Sequence, residues 1–177
     1  MSAAASPASR APSGEVHTLV REHHVDASPE EVFAFFGDAL NLQRITPPWL
    51  GFRLLTPTPI AMAPGTRIEY RLRLHGLPLR WLTEITVWEP PARFVDLQLR
   101  GPYRLWHHTH SFVPEGDGVR VRDVICYAIA MGALGQLVDA AFVRRDLARI
   151  FDYRQQAVAS ILGRDAPSAQ GPRSRAG

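Results

Sequence analysis

A chain of 177 residues with 46% hydrophobic and 21% charged side chains has the composition of one globular domain, too short for two full cores and too apolar for a disordered or fibrous protein. All the basic side chains behind its formal charge of +3 are arginines; without lysine no Schiff base or P-loop can form, and arginines scattered among Glu and Asp do not make a nucleic-acid surface. The single cysteine, Cys126, leaves no internal disulfide and no cysteine-rich zinc knuckle, and with neither a signal-peptide pattern nor an apolar run near the ~20 residues that span a bilayer, a cytoplasmic location is expected.

Residues 1–14 and 163–177 are rich in Ala, Ser, Pro, Gly and Arg without a hydrophobic period. They read as disordered tails flanking a single domain over 15–162. A strand is expected over 15–26. Ser28-Pro29-Glu30-Glu31 then opens a helix, with Ser28 as N-cap, Pro29 at the first helical position and Glu31 completing a capping box. Val32, Phe33, Phe35 and Phe36 supply its apolar stripe up to Gly37. A second short helix over Asn41 to Ile45 should stop before Pro47-Pro48, since proline restricts the preceding residue and lacks a donor.

From Gly51 onward the period becomes two. After a short strand near 52–56, Arg67 to His75 alternates Ile68, Tyr70, Leu72 and Leu74 with charged neighbours, a strand with one dry and one wet face. Strands at 79–88, 94–100, 103–113 and 119–128 are separated by Gly-, Pro- and Asp-containing turns, the chemistry of antiparallel hairpins. From Ala133 to Leu162 the apolar spacing is helical, giving a rod of ~45 Å that can lie across a whole sheet.

The segment LWHHTHSF at 105–112 holds the chemistry. In a strand Trp106, His108, His110 and Phe112 share one face. Facing residues on the neighbouring strands are Phe94, Asp96 and Gln98 on one side and Val121, Asp123, Ile125 and Tyr127 on the other. A sealed core tolerates Asp96, Gln98, His108, His110, Asp123 and Tyr127 together only if each finds a partner. Apolar walls with a few convergent polar groups describe a small-molecule pocket.

The helix start SPEEVF, ITPPWLGF at 45–52 and GPYRLWHHTHSF at 101–112, in this order of elements, resemble the START-like (SRPBCC) superfamily, in its polyketide cyclase/dehydrase-like and ligand-binding branch. The likeness covers about residues 15 to 162. It implies an α+β helix-grip fold, in which a curved antiparallel seven-stranded sheet, two short helices and a long C-terminal helix enclose a hydrophobic cavity. Because members share a cavity rather than a catalytic motif, the resemblance leaves activity open.

Two readings follow, beside a third in which the cavity is vestigial, filled by its own side chains, and the chain is a protein-interaction module. In one, the chain binds a small hydrophobic ligand such as a lipid, isoprenoid or polyketide through Trp106, His108, His110, Phe112, Asp96, Gln98, Asp123 and Tyr127. In the other it is a polyketide aromatase/cyclase or dehydratase in which His108, His110, Asp123 and Tyr127 move protons. His108-x-His110 could also chelate a metal, but no histidine follows, and Asp123 or Asp96 would have to complete the set; no metal or other cofactor is expected. Arg71, Arg73, Arg80 and Glu84 read as a solvated charge face that leaves transient membrane contact open. Trp49, Leu50 and Phe52 read as a cavity rim or the cap of the core, Gly132 and Gly135 as a flexible lead into the last helix, and Cys126 as a packing residue.

Overall fold

The computed structural model describes residues 15–129 and 143–163. The expected tails, Gly132 and Gly135, and the part of the last helix expected over 133–142 lie outside the described residues. Strand β1 (His17–Val25) leads into helix α1 (Pro29–Gly37); two 3-10 turns, Asn41–Gln43 and Pro48–Leu50, precede β2 (Arg53–Leu54), β3 (Arg67–Leu74), β4 (Leu77–Glu89), β5 (Arg93–Arg100), β6 (Tyr103–Glu115), β7 (Gly118–Ile129) and helix α2 (Arg144–Leu162). All seven strands form one antiparallel sheet in the order β1-β7-β6-β5-β4-β3-β2. The first and seventh strands pair across the chain, which lets the sheet curl around what it covers. The α+β helix-grip architecture is thus present.

Two local expectations change. The second short helix is only a single 3-10 turn, Asn41–Gln43, because nothing in that stretch is capped by a side chain and the prolines follow within one turn. The double proline does not merely stop a helix: Pro48 begins another 3-10 turn, ended by Gly51 in the left-handed region at φ 51°, where glycine carries no Cβ penalty.

Helix α1 starts as its sequence requires. Ser28 Oγ accepts from the Glu31 backbone N–H at 3.2 Å and the Ser28 backbone N–H donates to Glu31 Oε2 at 2.9 Å. Val32, Phe33, Phe35 and Phe36 are buried, and Phe33 meets the edges of Trp88, Phe94 and Phe112 at centroid distances of 4.8, 6.0 and 5.6 Å. At Gly37 a Cβ would stand 2.7 Å from the Trp88 ring, so the helix can approach the sheet there only as glycine.

The inner face of the sheet buries two apolar clusters. One joins α1 to Phe94, Phe112, Val119, Val121 and Val158; the other joins Trp81, Trp106, Ile125 and Tyr127 to Leu147 and Phe151 of α2. Tyr70 packs against both. The outer face carries the ion pairs Arg67 to Glu84 (2.9 Å), Arg80 to Glu69 (3.0 Å) and Arg122 to Glu22 (2.7 Å). Among the described residues no helix is long and apolar enough to cross a membrane.

Candidate functional site

Strand register assembles the site. Asp96 of β5 pairs with His108 of β6, and His110 of β6 pairs with Asp123 of β7, so the two-residue repeat of a strand brings four polar side chains from three adjacent strands onto the inner face. His108, His110 and Asp123 are buried at 4%, 2% and 2% exposure. Buried polar groups must satisfy one another; here imidazoles and carboxylates meet in a closed arrangement, with His110 Nδ1 off line for a hydrogen bond.

Each imidazole lies between the same two carboxylates. His108 Nε2 is 2.9 Å from Asp123 Oδ1 and its Nδ1 is 3.5 Å from Asp96 Oδ2. His110 presents the opposite edges, Nε2 3.0 Å from Asp96 Oδ2 and Nδ1 2.8 Å from Asp123 Oδ1. The last contact is off line for a hydrogen bond and acts as a charge contact. The two rings lie 3.7 Å apart, and Phe94, opposite His110 in the ladder, stacks on it at 4.1 Å and 22°. Thr83 Oγ1, shared with the Leu97 carbonyl at 3.1 Å, reaches Asp96 Oδ1 at 3.3 Å.

The electrostatics separates the two histidines. Burial, reinforced by the neighbouring charge of His110, pushes His108 down to about 4 against the pull of Asp123 and Asp96. Burial also pulls on His110, but its contacts with Asp123 and Asp96 prevail and hold it above its ordinary value. For Asp123, burial favours the neutral acid; the contacts with His108 and His110 and the nearby Arg154 outweigh it and keep the carboxyl well below its usual range. The same balance keeps Asp96 low. Burial, aided by Asp96, pushes the Tyr70 hydroxyl far up, so it stays a neutral phenol.

Between the sheet and α2 lies a cavity of about 180 Å³. Phe36, Phe52, Tyr70, Trp81, Trp106 and Phe151 provide its aromatic wall, Ile68, Leu72, Leu79, Ile85 and Leu147 part of its aliphatic wall, and Thr83, Asp96, His108, His110 and Arg154 its polar groups. The expected residues therefore divide. Trp106, His108, His110 and Asp96 line the cavity, and Asp123 stands behind the imidazoles. Phe112 and Tyr127 are core instead: Phe112 packs on Phe33 and Phe36, and Tyr127 on Trp106 and Tyr103.

Gln98 is not with the others. The β5–β6 ladder ends at Leu97 and His107, and beyond it the Gln98 side-chain amide donates to the Tyr103 carbonyl at 2.6 Å, closing the hairpin rather than facing the cavity. Trp49, Leu50 and Phe52 separate as well. Leu50 and Phe52 are buried in the cavity wall, whereas Trp49, 52% exposed, packs outside between Tyr153 and Arg149.

Arg154 was not anticipated. It continues the inward stripe of α2 after Leu147 and Phe151 and before Val158, and its guanidinium lies 5.2 Å from the Phe36 ring and 5.9 Å from the Phe151 ring. An arginine at that position of an apolar stripe was the available signal. Its Nε and the Trp81 indole N–H are buried without a hydrogen-bond partner among the described residues.

Comparison with known proteins agrees with this architecture. No curated protein matches the sequence. Among solved structures, CV1439 from Chromobacterium violaceum aligns with a TM-score of 0.67 at 15% identity, over 84% of this chain and 98% of that one. Protein Ms6760 from Mycobacterium smegmatis aligns at 0.62 and 17%, over 82% and 90%. Ara h 8.0201 is a third, at 0.58 and 17%, over 82% and 99%. At these identities the likeness is one of fold. Residues 16–162 match the family described as "Polyketide cyclase / dehydrase and lipid transport", and the chain belongs to that family, within the START-like (SRPBCC) superfamily.

Proposed function

We propose that this protein binds a small hydrophobic molecule of one or two rings carrying at least one oxygen, held between the sheet and α2. The observation that carries the reading is the cavity itself, an aromatic and aliphatic enclosure with a few polar groups, Thr83, Asp96, His108 and His110 on the sheet and Arg154 on α2. A cavity of ~150 Å³ accepts benzene, so a space of about 180 Å³ favours a compact ring system, of the kind found in aromatic polyketides, over a lipid with two acyl chains. Burial of apolar ligand surface, at ~25 cal/mol per Å², supplies the affinity. The unpartnered N–H groups of Trp81 and Arg154 are donors for the ligand oxygen, and such groups fix orientation.

Titration with a hydroxylated naphthalene, followed by quenching of Trp81 and Trp106 fluorescence, tests this. Saturable quenching at one site is expected, and Leu72→Trp, which fills the cavity from β3, should weaken it at least tenfold. Absence of saturation, or an affinity indifferent to Leu72→Trp, overturns the reading.

The closed His–Asp arrangement at the cavity wall favours a second reading, a cyclase or dehydratase whose imidazoles move protons on the bound molecule. Tyr127, on the core side of Trp106, has no place in it. His110→Ala distinguishes the two: turnover lost with affinity kept identifies an enzyme, whereas parallel loss of both identifies a binder.

A further inference from the structure

We propose that Asp96, His108 and His110 form a binding site for a divalent transition metal in the cavity wall, with Asp123 holding both imidazoles from behind. Sequence alone expected no metal, and left Asp123 or Asp96 as the third ligand beside the two histidines. The β5–β6 register supplies it, placing Asp96 opposite His108, and the three offer ligand atoms all within 4.8 Å of one another.

The geometry is specific in three respects. First, the two rings use opposite nitrogens for the same purpose. His108 Nε2 and His110 Nδ1 face Asp123 Oδ1 at 2.9 and 2.8 Å, which leaves His108 Nδ1 and His110 Nε2 turned to Asp96 Oδ2 at 3.5 and 3.0 Å. A histidine that binds a metal through one nitrogen gives the proton on the other to a carboxylate; Asp123 Oδ1 is in line to accept from His108 Nε2, and the His110 ring, whose Nδ1 lies 2.8 Å from the same oxygen but off line, must turn on metal uptake to donate there as well. Second, bonds of ~2.0–2.1 Å around a tetrahedral ion put neighbouring ligand atoms ~3.3 Å apart, a value that 3.0 and 3.5 Å bracket. Third, Asp96, His108 and His110 line the cavity and Asp123 does not, so the coordination positions left over face the space where a ligand would lie.

Charge agrees. A divalent ion, two carboxylates and two neutral imidazoles sum to zero, which leaves the nearby Arg154 as the one cation at the cavity, among the described residues, available to an anionic ligand oxygen. Two nitrogens and one carboxylate suit zinc, ferrous iron or cobalt, and not magnesium or calcium, which require mostly oxygen. The open positions would take an oxygen donor, a carbonyl or phenolate. This inference stands apart from the binding of any organic molecule, since metal uptake is measured without one. A second grouping, His24, Asp26 and Asp117, is wholly exposed and serves as the control.

The test uses the full chain, stripped with a chelator, reloaded with zinc or cobalt and passed through gel filtration. About one ion per chain should remain, and cobalt should give the visible absorption of a low-symmetry four- or five-coordinate centre. Asp96→Asn and His110→Ala should abolish retention, Asp123→Asn should weaken affinity about 10–100-fold, and His24→Ala should change nothing. Because a variant in this cluster can fail to fold, the wild-type protein is also read by nitrogen-15 imidazole spectra. Zinc should shift His108 Nδ1 and His110 Nε2 and leave protons on His108 Nε2 and His110 Nδ1. No retained ion, retention that survives Asp96→Asn and His110→Ala in folded protein, or zinc that leaves those two nitrogens unmoved, overturns the proposal.

Discussion

The two faces of the sheet both set basic side chains against carboxylates, arginine with glutamate outside and histidine with aspartate inside, to opposite ends. On the outer face, Arg67 meets Glu84 at 2.9 Å with the arginine 64% exposed, and water already satisfies both groups when they separate. On the inner face, His110 meets Asp96 at 3.0 Å with the imidazole 3% exposed, and nothing but the other members of the cluster can replace a lost partner. A similar distance therefore means a dispensable contact in one place and an obligatory one in the other, because the cost of stranding a charge depends on what surrounds it.

Removing one inner carboxylate breaks the comparison most sharply. Asp123→Ala deprives both His108 and His110 of their shared carboxylate, and loss of one partner from a buried charged group costs about 3–5 kcal/mol. Urea unfolding of metal-free protein should show that loss. Asp123→Asn, which keeps an acceptor oxygen without the charge, should fall between it and wild type. A loss below ~1 kcal/mol for Asp123→Ala would mean that water enters the cluster as freely as it wets Glu84.

These contrasts also explain what could be read from the chain before its structure. Alternation over 103–113 placed Trp106, His108 and His110 on one face because strand parity is strictly two, and the turn residues marked the hairpins. The capping box at Ser28 was equally local. Gln98 was misplaced because parity assumes that pairing continues, whereas the β5–β6 ladder stops at Leu97. Parity also cannot tell a cavity wall from a core, which is why Phe112 and Tyr127 were grouped with the site. Asp96 and Asp123 meet the histidines only through register across three strands, and Arg154 arrives from α2; such contacts belong to tertiary structure.

His23 tests the inner face at lower cost. It points inward from β1, its Nε2 has no hydrogen-bond partner among the described residues, and burial, partly opposed by Asp123 and assisted by Arg154, pulls its pKa below the ordinary value. A histidine depressed in the folded state binds fewer protons there than when unfolded. Stability should therefore fall as pH drops from about 6.5 toward the folded pKa, and level off below it. Urea midpoints for wild type and His23→Gln at pH 7.5 and 5.5 measure this. The substitution should shallow the acid-side decline, and an identical decline in both proteins would remove His23 as its source.

Exposure alone does not make a polar contact weak. Ser28 is at the surface, yet its hydroxyl serves a backbone N–H of the first turn of α1, which the helix cannot satisfy internally. Ser28→Ala should lower stability by about 1 kcal/mol, more than an exposed ion pair. Acid should erode the same cap from the other side: hydrogen bonds from the Ser28 backbone and side chain hold Glu31 below its usual range, so its contribution is present above the unfolded value near 4.5 and fades as pH falls through the lower folded one.

The Arg67–Glu84 pair gives the smallest effect and the cleanest reference for the comparison. In a double-mutant cycle of Arg67→Ala, Glu84→Ala and the double variant, the coupling should be about 0.2–1 kcal/mol and shrink in high salt, since the exposed guanidinium is screened and two long side chains lose freedom on pairing. Glu84 is the more enclosed partner, at 24% exposure, so Glu84→Ala should cost slightly more than Arg67→Ala. A coupling that persists undiminished in high salt would show that this face, too, is shielded from water, and the contrast between the two sides of the sheet would then have to rest on something other than solvent access.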